Sequence, residues 1–300
     1  MRTAYFTRFA WGLVGWTFLV VLWGAYVRAS DSGAGCGGHW PLCNGELVPA
    51  APSVKTIVEF THRVTSGVTL IATMALGVWS FLLFPRGHRV RRTALLSVAF
   101  VIVEALLGAG LVLLGYVENN ASAGRVVYLC LHLVNTHLLL AVLALTAWFS
   151  RPSSGPFRLR WSVVSATLPV AVLVSVTGVI AALGDTLFPA AGMQQDFSTT
   201  AHFLLRLRIL HPALAILGAC YFVFASIVVL RSSPRPLVAR IASIAMFLPL
   251  AQLGAGAINL ALLAPIGMQI AHLFLADLVW LSLVLLTVES TTARPAEAAA

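Results

Sequence analysis

Long apolar stretches alternate with short polar segments along the whole chain. They run at 8–28, 58–84, 94–116, 127–149, 161–183, 203–230, 237–260 and 266–289. Each is long enough, as a helix, to cross a hydrocarbon core of roughly 30 Å. In lipid a helix pairs its backbone polar groups within one segment, so these runs are read as helices. The pattern predicts an all-α integral membrane protein with eight transmembrane helices. The N-terminal stretch resembles a signal peptide, but it is too long and no small-residue cleavage site follows, so it is read as a retained first helix. The polar, low-complexity residues 291–300 are read as a disordered tail.

The polar segments differ by side. Arg2 and Arg8 precede the first stretch, and Arg86, Arg89, Arg91 and Arg92 lie between the second and third. Arg151, Arg158 and Arg160 follow the fourth, and Arg231, Arg235 and Arg240 follow the sixth. With eight spans all of these fall on one side, which the positive-inside rule makes cytoplasmic. Both termini are therefore expected in the cytoplasm, and the protein in the cell (inner or plasma) membrane. The opposite segments, 29–57, 117–126 and 184–202 with a short turn near Pro265, hold Asp31, Glu46, Glu118, Asp185 and Asp196. The first of these is long enough to fold over a site.

Composition agrees. The chain is 59% hydrophobic and 10% charged, against roughly 25% charged in soluble domains. The net charge of +9 sits in short arginine-bearing segments without a basic, aromatic-interleaved face, which argues against nucleic acid as a partner.

The halves look alike. Leu107-Gly108-Ala109-Gly110 matches Leu253-Gly254-Ala255-Gly256, and His132-Leu133 matches His272-Leu273. The ends of the first and fifth stretches share a glycine followed by Asp31 or Asp185. Four spans return a chain to its starting side. This predicts two tandem four-helix bundles related by a pseudo-twofold repeat, 1–150 and 151–290.

Ionisable residues inside a membrane are costly and mark function. His62, His132, His211 and His272 lie in even-numbered helices at comparable depth, toward the outer face. They form one pair per half: His62 with His132, and His211 with His272. Two imidazoles on facing helices make a natural axial pair for haem iron, whereas a bare metal site would want carboxylates or thiols close by. His202 lies at the outer rim. His137 is turned about 140° from His132, so both are weaker ligand candidates. His39 and His88 are read as solvated. Arg28, Arg63, Arg125, Arg206 and Arg208 lie near the same depth; Arg63, Arg28, Arg125 and Arg208 are candidates for haem propionates, with interfacial snorkelling as the alternative. Glu59 shares a helix face with His62 and could serve proton movement or charge stabilisation. Cys130 and Cys220 read as small apolar residues. Cys36 and Cys43 lie in an outer loop where a disulfide is favoured, either as a structural staple or as a reversible thiol pair.

Gly24-Ala25-Tyr26-Val27-Arg28-Ala29-Ser30-Asp31 through Cys36, Trp40-Pro41-Leu42-Cys43 and Glu59-Phe60-Thr61-His62-Arg63 resemble the haem A synthase family. So do Ala182-Leu183-Gly184-Asp185-Thr186-Leu187-Phe188-Pro189, Leu207-Arg208-Ile209-Leu210-His211-Pro212, and Ala264-Pro265 through Gln269, His272 and Trp280. The resemblance implies that haem O is oxidised at its C8 methyl group to the formyl group of haem A, destined for terminal cytochrome oxidases. It implies haem b as cofactor on His211 and His272, substrate haem O flanked by His62 and His132, and Glu59 as the catalytic carboxylate. Cys36 and Cys43 match the loop pair of many bacterial members. It brings into view, besides membrane lipid, a haem O synthase, oxidase assembly factors and an electron donor or acceptor. Glu104 departs from the pattern, since related sequences often carry Gln there as Gln252 does in the other half; His137 is also extra. Four membrane histidines alone fit a quinol-linked bis-histidine dihaem electron carrier equally well, and the repeated bundle fits a transporter or chaperone for haem.

Overall fold

The computed structural model describes residues 2–151, 161–188, 201–232 and 235–291. Arg158, Arg160, Pro189, Asp196 and the tail beyond Thr291 lie outside them. The helices are α1 (Arg2–Ala29), α2 (Val54–Leu83), α3 (Arg89–Leu113), α4 (Ala123–Phe149), α5 (Thr167–Leu187), α6 (Phe203–Arg208), α7 (Leu210–Ser232), α8 (Pro236–Ala261) and α9 (Ile266–Thr291). Among the described residues, with α6 and α7 taken together, eight stretches are long and apolar enough to cross a membrane. The protein is thus an all-helical, multi-pass membrane protein. Ile71, Met74, Val78, Phe81 and Leu82 of α2 form an exposed apolar stripe, a face that water would not tolerate and lipid does.

Several boundaries differ from the apolar pattern, each for a local reason. The third helix begins at Arg89 rather than 94, because the ring of His88 caps it: His88 Nδ1 accepts from the Val90 amide at 3.2 Å. Three arginines assigned to a connecting segment are therefore helical, and His88 has a structural task. The fifth helix begins at Thr167 rather than 161, since Ser162 and Ser165 exchange side-chain and backbone hydrogen bonds of 2.8 and 3.1 Å, a local alternative to the helical ladder. The sixth span breaks at Ile209. Pro212 has no amide to offer the Arg208 carbonyl, and its ring crowds that carbonyl.

Two compact units result: Met1–Arg151 with Leu183–Pro189, and Pro152–Ala182 with Ala190–Ala300. In the first, α1 packs on α2, α2 on α3, α3 on α4 and α4 back on α1, closing a four-helix bundle. Phe6, Leu76, Leu140 and Leu143 are fully buried in it. Thr7 and Ser150 join the α1 and α4 ends by a 2.7 Å hydroxyl contact. In the second unit α7, α8 and α9 are successive neighbours. Tyr221 of α7 donates to the Val163 carbonyl just before α5 at 2.9 Å.

His88→Ala is expected to cost about 1 kcal/mol through the lost cap, read as a lower Tm in detergent. Burial, and then Arg89, hold the His88 imidazole below its ordinary range. The ring caps only while neutral. The wild type's advantage is therefore complete above the ordinary imidazole pKa and declines as pH falls from there to the lower folded value. His88→Asn keeps a cap acceptor and should show no such decline.

Candidate functional site

In the second unit His211, at the start of α7, and His272, in the first turns of α9, have ring centroids 6.3 Å apart and nearly perpendicular planes. Their helices are not sequential neighbours; what lets the rings in is the absence of side chains opposite them. A Cβ on Gly178 of α5 would lie 3.0 Å from His211 Cε1, and one on Gly256 of α8 would lie 3.0 Å from His272 Cε1. The Thr177 hydroxyl sits 3.2 Å from His211 Nδ1, which fixes that ring's rotation. Gln252 of α8 brings Nε2 to 3.2 Å from His272 Nε2, while His272 Nδ1 is buried with no hydrogen-bond partner among the described residues.

The first unit repeats part of this. A Cβ on Gly24 of α1 would approach His62 Cε1 of α2 to 2.8 Å. His62 Nδ1 is likewise buried without a partner among the described residues, and His62 lies within electrostatic reach of His132 on α4. The fourth position differs: Gly110 of α3 is packed against the Tyr128 ring, not against histidine. His132 Nδ1 instead lies 3.3 Å from Glu104 Oε1, in ion-pair range but not aligned as a hydrogen bond. Asn135 Nδ2 donates to Glu104 Oε2 at 2.6 Å and the Thr136 hydroxyl to Oε1.

Imidazoles on opposite sides of one metal, with bonds of about 2 Å each, have centroids roughly 6 Å apart. The His211–His272 pair meets that spacing. Among the described residues no three His, Cys, Asp or Glu side chains gather as a metal-ion cage. Such paired imidazoles suit an iron whose remaining positions are filled by a porphyrin.

The loop between α1 and α2 is tied down on Glu59. Its Oε2 accepts from the Cys36 amide at 2.7 Å. Its Oε1 accepts from Arg63 Nη2 at 2.5 Å and Nε at 3.1 Å. Arg63 Nη1 also donates to the His39 and Leu42 carbonyls, both at 2.5 Å. Cys36 and Cys43 form a disulfide across this turn, and the Thr56 hydroxyl donates to the Gly35 carbonyl at 2.8 Å. Glu59 is left 3% exposed.

The remaining candidates scatter. Arg28 donates to the Thr186 hydroxyl at 2.5 Å. Arg125 donates to the Glu118 and Asn120 carbonyls, and Arg28 and Arg125 are close enough to interact electrostatically. Arg208 is buried in α6. His137 is buried with Nδ1 3.1 Å from the Leu133 carbonyl of its own helix, and His202 caps α6 through the Leu204 amide. Cys130 and Cys220 are free thiols. The sequence reading passed over Thr177, Asn135, Thr136 and Asp277. Asp277 is 1% exposed, and neither carboxylate oxygen has a hydrogen-bond partner among the described residues. An acid in the middle of an apolar helix, five residues past His272 as His137 is past His132, was the available signal.

These features define a helical membrane bundle with paired, glycine-backed histidines. The chain belongs to the COX15-CtaA family, described as cytochrome oxidase assembly protein, whose family model matches residues 7–284. A protein of Thermus thermophilus named protoheme IX farnesyltransferase is 46% identical over 298 residues, covering 95% of this chain and 49% of the relative. Heme A synthases of an Exiguobacterium species (41% over 95 residues, 32% of each chain) and of Bacillus cereus (42% over 97 residues, 32% of this chain and 31% of the relative) match a shorter stretch. The chain spans about half the length of its Thermus relatives and about a third of the matched heme A synthases aligns with it. The resemblance to haem A synthases read from the motifs holds at the level of the family.

Arg63→Leu should loosen the loop clamp, because it leaves the Glu59 charge buried and two loop carbonyls without a donor. Breaking a buried pair of this kind costs about 3 kcal/mol. The expected readouts are a lower Tm in detergent and faster proteolysis between residues 37 and 50; wild-type resistance in the variant would count against the clamp.

Proposed function

We propose that this protein is a haem A synthase. It takes haem O in the membrane and oxidises the C8 methyl group to a formyl group; the oxygen comes from water, and the four electrons released pass one at a time, by way of haem b on His211 and His272, to an external electron acceptor. The observation that carries this reading is the 6.3 Å separation of those two rings, in a chain of a family whose relatives include heme A synthases. When bound, haem b supplies one-electron transfer. Thr177 holds the His211 ring, and Gly178 and Gly256 keep the space beside the two rings clear.

His62 and His132 flank the substrate haem in the first half. Arg28 lies one helical turn beyond Gly24, the residue packed on His62, and Arg125 lies two turns before His132. These two arginines, already within electrostatic reach of each other, are the favoured partners for the two propionates. Arg63 is engaged with Glu59 and the loop, so its part is to hold the carboxylate. Glu59 acts as a fixed negative charge near a carbon that becomes electron-poor as it is oxidised, with Oε1 held by Arg63 and Oε2 by the Cys36 amide.

The Thermus relatives are named for farnesyl transfer to protohaem and are about twice as long as the part matched. In our reading the matched half is the synthase-like part and farnesyl transfer belongs to the remainder. A protohaem farnesyltransferase is accordingly the partner that supplies haem O here. The arginine-bearing segments and both termini are assigned to the cytoplasmic side of the cell membrane, and the histidines toward the outer side.

The test is purification from cells that make haem O, with the bound haems identified by mass. Haem b accompanied by haem O, its hydroxylated form or haem A is the expected result; haem b alone, with no oxidised product, would make the protein an electron carrier. Glu59→Ala should abolish conversion while leaving haem b bound. Gly178→Val, whose side chain drives into the His211 ring, should lower haem b occupancy by roughly tenfold, read from the haem-to-protein absorbance ratio.

A further inference from the structure

The histidine positions repeat between the halves, but what stands behind them does not. Behind His132 is a carboxylate, Glu104 of α3, at 3.3 Å from Nδ1. Beside His272 stands an amide instead: Gln252 of α8 brings its Nε2 to 3.2 Å from His272 Nε2, the other ring nitrogen, and His272 Nδ1 has no hydrogen-bond partner among the described residues. The difference is built into the neighbours as well. Glu104 is held on both oxygens, by Asn135 and by the Thr136 hydroxyl, and Asn135 Nδ2 is also 2.9 Å from the Phe100 carbonyl of α3. At the same places after His272 stand Leu275 and Ala276, which can donate nothing. Gln252 Oε1 is correspondingly buried without a hydrogen-bond partner among the described residues. The first half is constructed to hold a carboxylate against its histidine, and the second half is not.

We infer that Glu104 is a positioning residue for His132, and that its carboxylate sets the first-half iron at a lower reduction potential than the second-half iron. The inference rests on the proposal that His132 ligates the substrate haem. A carboxylate behind a ligating imidazole fixes which ring nitrogen is left for the metal and makes the ligand a stronger electron donor. Such a donor stabilises the oxidised iron, as does negative charge held in a medium of low dielectric constant. An amide has neither effect to the same degree. Electrons then have a downhill direction, from the substrate site in the first half to haem b in the second. The repeat alone would make the two sites equivalent and give no such direction; the Glu104–Gln252 difference removes that equivalence.

Glu104 also links α3 to α4, and a purely structural link would survive Glu104→Gln, because the amide oxygen can still accept from Thr136 or Asn135. The test is a spectroelectrochemical titration at one pH of the full-length protein in detergent, loaded with haem O. The redox component lost in His132→Ala is assigned to the first half. In Glu104→Gln this component should remain bound, move to higher potential and show altered low-spin EPR g-values, while the second component stays in place. A second variant, Asn135→Leu with Thr136→Ala, keeps the charge but frees it, and should move the same component in the same direction by a smaller amount. An unchanged first-half component in Glu104→Gln, or in the cradle variant should Glu104→Gln not fold, overturns the inference. A wild type with no component sensitive to His132→Ala overturns instead the ligand assignment beneath it, and the inference with it.

Discussion

Three of the four membrane imidazoles fit between helices because the opposing helix gives up its side chain. Gly24 does this for His62, Gly178 for His211 and Gly256 for His272, with hypothetical Cβ contacts of 2.8–3.0 Å. Everything proposed for the two halves depends on that constraint. Small residues let backbones approach closely inside lipid, where apolar association by itself drives little. Here the same closeness leaves a polar ring buried against backbone. The fourth histidine lacks a glycine opposite it, since Gly110 accommodates Tyr128, and it is there that a carboxylate takes over the orienting task.

The outer loop adds a second constraint. Glu59 joins two elements, its own helix through Arg63 and the disulfide turn, which it holds directly through the Cys36 amide and, by way of that arginine, at the His39 and Leu42 carbonyls. A buried carboxylate so fully engaged has little freedom to turn, which suits a residue whose charge must stay in one place. It also makes the loop and the start of α2 a single unit, so the loop and the carboxylate move together or not at all.

Two similar histidine arrangements cannot by themselves divide labour. The chain departs from symmetry at a few buried polar positions. Glu104 with Asn135 and Thr136 corresponds in sequence position to Gln252 with Leu275 and Ala276, and His137 to Asp277. Buried polar groups are expensive to place, so these departures mark where the halves differ in chemistry more sharply than any change among the surrounding leucines and valines.

Much of this was legible in the one-dimensional pattern. Span number, an all-helical fold and histidines at matching places in alternate spans follow from local quantities: run length, arginine spacing and the rarity of ionisable residues in apolar stretches. Helix ends were less so. His88, Ser162 with Ser165, and Pro212 shift boundaries through single hydrogen bonds that an apolar average does not register. Helix rotation was not legible at all. Helices that are apolar all round carry no amphipathic stripe to say which side faces inward. Tertiary packing alone decided that the glycines face the histidines, that Arg63 also reaches the His39 and Leu42 carbonyls, and that Glu104 lies behind His132. Such contacts depend on close approach between helices distant in sequence, and no local pattern of residues encodes it.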